Sequence, residues 1–147
     1  MIYFLDALLT RIKLTTEIEI SKRDEEYLEA MYILFLKKKS IRVKDLAKLL
    51  GVKPSSVVNY LKKLRNLGLI SYEKYDVIAL SPEGEEIAKR IYKRHEIIKR
   101  FLTDILGVPE DIAEEDACYI EHGIHEETFK KIEEFTRKRI KNSKVKD

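Results

Sequence analysis

The stretch VKDLAKLLGVKPSSVVNYLKKLRNLGLISYEKYDVIAL, residues 43–80, decides the fold. Two short helical patterns, 43–50 and 54–67, are separated only by residues 51–53. In that turn Gly51 suits the left-handed end of one helix, and Pro54 suits the first turn of the next. Leu46, Ala47, Leu49, Val57, Leu61 and Leu64 supply the apolar contacts that hold the pair together. Ile70 and Tyr72 then alternate with polar residues, Ile78 and Leu80 do the same, and residues 73–76 can turn the chain, so the stretch closes with a hairpin. Helix, tight turn, helix and hairpin form a winged helix-turn-helix, an arrangement used to bind DNA.

Working outward, one helical pattern precedes this stretch (23–38) and three follow it (82–106, 109–122 and 125–141), with Pro82 and Pro109 at starts and Gly107 and Gly123 at ends. The expected fold is mainly α: an N-terminal winged helix-turn-helix at 21–82 and an all-helical domain at 83–141. Residues 1–20 form an N-terminal extension and 142–147 a frayed tail.

The 147 residues are 44% hydrophobic and 37% charged, enough apolar material for a core and too much charge for a membrane span. Near the N-terminus the apolar run is broken by Asp6 and lacks the flanks of a secretory signal. The single cysteine, Cys118, excludes an internal disulfide, which points to the cytoplasm. A net charge of +3 hides an asymmetry. Residues 37–65 carry ten Lys or Arg against Asp45 alone, whereas 110–134 carry ten acids against Lys130 and Lys131.

A basic stretch on a helix-turn-helix suits nucleic acid. Ser55, Ser56 and Asn59, in the N-terminal half of the second helix, are placed to touch base edges, and Pro54 at its start is a further DNA-binding candidate. Lys53, Lys62, Lys63 and Arg65 are placed to meet phosphates, and Lys74 and Tyr75 at the hairpin tip to reach the backbone or minor groove. Helix-turn-helix geometry also occurs in proteins that bind no DNA, and lysine-rich faces are often only solvated; the charge asymmetry favours DNA.

The acidic half carries a second pattern. On the helix from Pro109, Ala113, Ala117 and Ile120 make the core stripe, and Glu114, Cys118, Glu121, His122 and His125 make a polar stripe beside it. Cys, Glu and His at i, i+3 and i+4 can converge on one point, and a thiolate, carboxylate and imidazole together suit a first-row transition metal. By pattern alone the triplet is equally a half-buried cysteine beside two surface residues. His95 interrupts the apolar stripe Ile87, Ile91, Ile98, Leu102 and Ile105, where a histidine satisfied within the core is the ordinary case. Glu26 and Glu29, three apart beside the stripe of the first helix, can present two carboxylates, although paired glutamates are most often solvated. No HExxH, Walker or nucleophile-elbow motif is present, so catalysis is not expected.

The segments EEYLEAMYIL, VKPSSVVNYLKKLRNLGLI, KRHEIIKRFLTDILGV and EDACYIEH resemble the metal-dependent repressors of the diphtheria toxin repressor and manganese transport regulator family, over residues 21–141. The resemblance implies a homodimer that grips a palindromic operator on double-stranded DNA near metal-uptake genes, with Fe(II) or Mn(II) as corepressor. It further implies that Glu26, Glu29, His95, Cys118, Glu121 and His122 are the metal ligands. Cys118 matches the iron branch and Glu26 the manganese branch. Lys99 departs from the iron branch, which has an acidic ancillary ligand there, and Glu114 remains a further candidate. The alternative is a winged-helix regulator that answers to an organic ligand or a protein partner; a metal-storage protein or metal enzyme is more distant.

Overall fold

The computed structural model describes residues 18–73 and 77–144. Their order is α1 (Lys22–Lys38), α2 (Val43–Leu50), α3 (Pro54–Asn66), β1 (Ile70–Glu73), β2 (Val77–Leu80), α4 (Pro82–Arg100), a π-helical turn (Phe101–Ile105), α5 (Glu110–Glu121) and α6 (Glu126–Lys144). This is the mainly α architecture expected, a winged helix-turn-helix followed by a helical domain. The hairpin-tip candidates Lys74 and Tyr75, and residues 1–17 of the N-terminal extension, lie outside the described residues.

Local chemistry sets the boundaries. Ser21 caps α1 by accepting from the Asp24 amide at 3.2 Å, and the Asp24 carboxylate accepts from the Ser21 amide at 2.9 Å. These reciprocal bonds satisfy two donors that a helix start leaves open. Gly51, at φ 65°, ends α2 in the left-handed region, and Pro54 opens α3. β1 and β2 pair antiparallel with Ile70 opposite Leu80 and Tyr72 opposite Ile78, while Ile41 adds a bridge to Ile78 from the other side.

The chain builds two cores in series. Leu28, Met31, Leu46, Val57, Leu61, Leu64 and Leu69 belong to the first, under the winged helix, and Ile98, Leu102, Ala113, Ala117 and Phe129 form the second. α4 runs through both, with Ala88 in the first and Ile98 in the second. Its start is pinned to the base of the wing: the Ser81 hydroxyl donates to the Gly68 carbonyl at 2.7 Å and accepts from the Gly84 amide at 3.1 Å. A Cβ on Gly84 would sit 2.0 Å from the Leu69 carbonyl oxygen, so only glycine permits this approach.

One expectation is corrected. The helix expected over 82–106 changes pitch after Arg100: the Leu106 amide bonds five residues back to Phe101 at 3.2 Å, and the Thr103 hydroxyl donates to the Lys99 carbonyl at 3.1 Å. Apolar residues at Ile98, Leu102 and Ile105 fit either pitch over so short a run. Of the tail expected from residue 142, residues 142–144 continue α6, with the Ser143 hydroxyl donating to the Ile140 carbonyl at 2.9 Å, and residues 145–147 lie outside the described residues.

Candidate metal centre and nucleic-acid interface

α1, α4 and α5 meet between the two cores, and each brings a buried donor to the junction. Glu29 comes from α1, His95 from α4 and Glu121 from the last turn of α5, where His122 is the cap residue. One ligand atom each of Glu29, His95 and Glu121 lies within 4.8 Å of the other two, and the same holds for Cys118, Glu121 and His122. The two groups share Glu121. Its Oε2 is 2.9 Å from His95 Nδ1 and its Oε1 is 3.0 Å from His122 Nε2. Those are hydrogen-bond distances without hydrogen-bond angles: among the described residues His95 Nδ1, both Glu121 oxygens and His122 Nε2 are buried with no partner in line. Unpaired buried polar atoms are costly, and a cation placed among converging N and O donors removes that cost. The donor set of thiol, carboxylates and imidazoles fits a first-row divalent metal.

The charge state of this junction follows from the same crowding. Burial opposes a proton on His95, but the Glu121 carboxylate, with Glu114 and Glu29, raises its pKa to about 9. At His122 burial again opposes, and Cys118, Glu121 and Glu25 push the pKa up to about 12. Glu29 is raised to about 8, first by burial and then by the neighbouring Glu121 carboxylate. Burial also acts to raise Glu121, yet His122 and His95 outweigh it and hold it below the ordinary range. Both imidazoles are thus shifted toward the protonated form beside Glu121, and a cation bound at the junction would have to displace those protons.

Five of the six ligand candidates are thus brought together: Glu29, His95, Cys118, Glu121 and His122. Glu26 is not. α1 turns about 100° per residue, which places Glu25 and Glu29, four apart, toward α5 and leaves Glu26 exposed. Glu25 accepts from His122 Nδ1 at 2.7 Å, a contact that the sequence reading missed; the i, i+4 spacing from Glu29 was its only signal. Glu114 lies outside both groups and 2.9 Å from His95 Nε2, and Lys99 pairs with it at 2.8 Å. His125 on the same polar stripe is exposed.

Lys53, at the cap of α3, and Pro54, Ser55, Ser56, Asn59, Lys62 and Arg65 on it are all exposed, and so is the N-terminal half of the helix as a whole except Val57 and the partly buried Val58. Lys63 is exposed but engaged: its ammonium lies 2.9 Å from Asp24. Tyr60 donates to the same carboxylate at 2.6 Å and stacks on Tyr27 with ring centroids 4.2 Å apart. Asp24, only 1% exposed, thereby ties the start of α1 to α3.

Residues 19–78 match the N-terminal DNA-binding domain model of iron dependent repressors, and residues 81–144 match the metal binding and dimerisation domain model of the same proteins. An uncharacterised helix-turn-helix transcriptional regulator of Methanocaldococcus jannaschii is 43% identical over 121 residues, covering 81% of this chain and 96% of that one. The chain belongs to the iron dependent repressor family. The regulator MntR of Lysinibacillus sphaericus is 41% identical over 98 residues, covering 67% of this chain and 70% of its own. The crystal structure of IdeR from T. acidophilum superposes with a TM-score of 0.67 at 29% identity, over 75% of this chain and 52% of that one, so this chain spans about half the IdeR length. As a family member it is a DNA-binding, metal-binding transcription regulator with a dimerisation domain, and not an enzyme. Among the described residues no helix is long and apolar enough to cross a membrane.

Proposed function

We propose that this chain is a cytoplasmic repressor of metal-uptake genes, with Fe(II) or Mn(II) as corepressor at a palindromic operator. The observation that carries this reading is Glu121, whose two unpaired oxygens face His95 on α4 and His122 at the end of α5 while Glu29 of α1 closes the same junction. Glu29, His95, Cys118, Glu121 and His122 would hold the ion; the ion would supply the positive charge that the two imidazole protons supply without it. Because Glu29 belongs to the DNA-binding half and the other four to the helical half, the ligand set links the two halves. Four of these donors are carboxylate or imidazole, which suit Mn(II), and the Cys118 thiol adds a softer ligand that favours Fe(II).

DNA recognition falls to α3. Ser55, Ser56 and Asn59 face base edges, with Pro54 at the helix start, and Lys53, Lys62 and Arg65 meet phosphates. Lys63 contributes less than these because Asp24 already holds it. In a dimer two α3 helices have to stand about 34 Å apart, or a multiple of that, to enter successive major grooves. Small rotations at the α1–α4–α5 junction change that spacing.

The test is fluorescence anisotropy on a labelled duplex from the chain's own upstream region, anaerobically and at fixed salt, first in chelator and then with Mn(II), Fe(II), Co(II) and Zn(II). Tight binding only with metal is expected, with the strongest response to Mn(II) or Fe(II). Equal binding in chelator overturns the metal switch and favours an organic or protein effector.

A further inference from the structure

His122 sits at the cap position of α5, at φ −89° and ψ −8°, where the helical ladder ends. Beyond Cys118 and Glu121 of its own helix, the ring also meets a partner from α1. Nδ1 has one, the Glu25 carboxylate at 2.7 Å, in hydrogen-bond geometry. Nε2 has none in line, although it is buried 3.0 Å from Glu121 Oε1. The other imidazole divides its nitrogens the same way: His95 Nε2 is bonded to Glu114 at 2.9 Å, and Nδ1 faces Glu121 Oε2 at 2.9 Å. Each ring is gripped on its outer nitrogen by a carboxylate and turned with its inner nitrogen toward Glu121.

We infer that Glu25 is a positioning residue of the metal centre, accepting the Nδ1–H of His122 so that the Nε2 lone pair faces the ion. This role rests on the metal reading above. A neutral imidazole carries one N–H, and holding it at Nδ1 makes Nε2 the acceptor of the metal. Glu25 is not itself among the converging donors, since its oxygen faces Nδ1 and it belongs to neither three-residue group. It also reaches His122 from α1 across 97 positions of sequence, so the ring of a ligand on the helical half is set by a side chain of the DNA-binding half. A winged helix displaced from the junction would release His122 as well as withdraw Glu29.

The test uses the full chain and Co(II) as a spectroscopic probe. Glu25→Ala and Glu25→Gln are titrated beside the parent under anaerobic conditions, following the visible ligand-field bands, with far-ultraviolet circular dichroism to confirm the fold. Glu25→Ala is expected to weaken Co(II) binding about 10- to 100-fold, the range found when an outer partner of a ligating histidine is removed. Glu25→Gln, whose amide oxygen still accepts the Nδ1–H, is expected to stay within about 3-fold of the parent, with unchanged bands. An alanine variant that binds as tightly as the parent overturns the role. A glutamine variant as weak as the alanine one overturns it too, by showing that the Glu25 charge and not acceptance of the Nδ1–H carries the effect. A parent chain that binds no Co(II) overturns the metal reading itself, together with this role, and is distinguished from the other failures by the parent trace alone.

Discussion

Two buried carboxylates lie close to α1 and are treated in opposite ways. Asp24, 1% exposed, has its oxygens filled by the Ser21 amide, the Tyr60 hydroxyl and the Lys63 ammonium. Burial acts to raise its pKa, but those donors outweigh burial and hold it below the ordinary range. Glu121, 3% exposed, has both oxygens without an aligned donor, beside a second acid, Glu29, that is forced up to about 8. A satisfied buried acid is a joint that stabilises the free chain, whereas an unsatisfied cluster carries a cost that a bound cation would relieve.

That comparison breaks or sharpens under four substitutions and a pH titration. The largest effect is expected for Glu121→Gln, which takes a charged donor from both three-residue groups. Metal affinity should fall by about 100-fold or more, beyond the loss of an outer partner, while the metal-free chain keeps its helical circular dichroism. Calorimetric titration with Mn(II) checks it, and parent-like affinity would make Glu121 as structural as Asp24. Next, Asp24→Ala leaves Tyr60 and the Ser21 amide without their acceptor and should destabilise the metal-free chain by about 1–3 kcal/mol, with metal affinity changed little. Urea unfolding beside the same titration separates the two outcomes.

pH should divide the two acids further. The folded pKa of His95, about 9, lies above its unfolded value of 6.5, so its contribution is complete below 6.5 and is lost as pH rises through 9. Glu29, held protonated up to about 8 against an unfolded 4.5, adds a penalty over a window that ends in the same range. Asp24 has the opposite sign: lowered from 3.8, it stabilises above that value and loses its contribution as pH falls through the folded pKa. Thermal unfolding of the metal-free chain should therefore show a falling midpoint from pH 6.5 to 9, and saturating Mn(II) should flatten that slope. A flat metal-free profile would mean that the junction carries no displaced protons. The smallest effect concerns the lysines of α3. Lys62→Ala should reduce the slope of log affinity against log salt by about one unit, and Lys63→Ala by less, because Asp24 competes for that ammonium.

Much of this was legible from spacing. The turn at Gly51 and Pro54, the alternation of Ile70, Tyr72, Ile78 and Leu80, and the i, i+3, i+4 set of Cys118, Glu121 and His122 are local patterns, and local patterns survive into the fold. His95 was legible as a polar residue on an apolar stripe. Choosing between Glu25 and Glu26 was not, because both flank the stripe of α1 and only the packing of α1 against α4 sets which one turns inward. The pairing of Asp24 with Lys63 and Tyr60 joins residues 39 and 36 positions apart and leaves no periodic trace. The change of pitch at Phe101–Ile105 was hidden because five residues are too few to separate two helical periods.

The contact of Gly84 with the Leu69 carbonyl has a mechanical consequence. With a Cβ at 2.0 Å excluded and Ser81 the single residue between β2 and α4, the chain has no hinge at the place where one half passes into the other. α4 is a shaft seated in both cores, so the winged helix cannot swing as a pendulum on a string. Any change of attitude has to be a twist of the shaft or a roll of α1 along it, small in angle and enlarged by leverage at the far tip of α3. On the proposed metal reading, a regulator geared this way would turn the entry of an ion at the junction into a displacement at the far tip of α3.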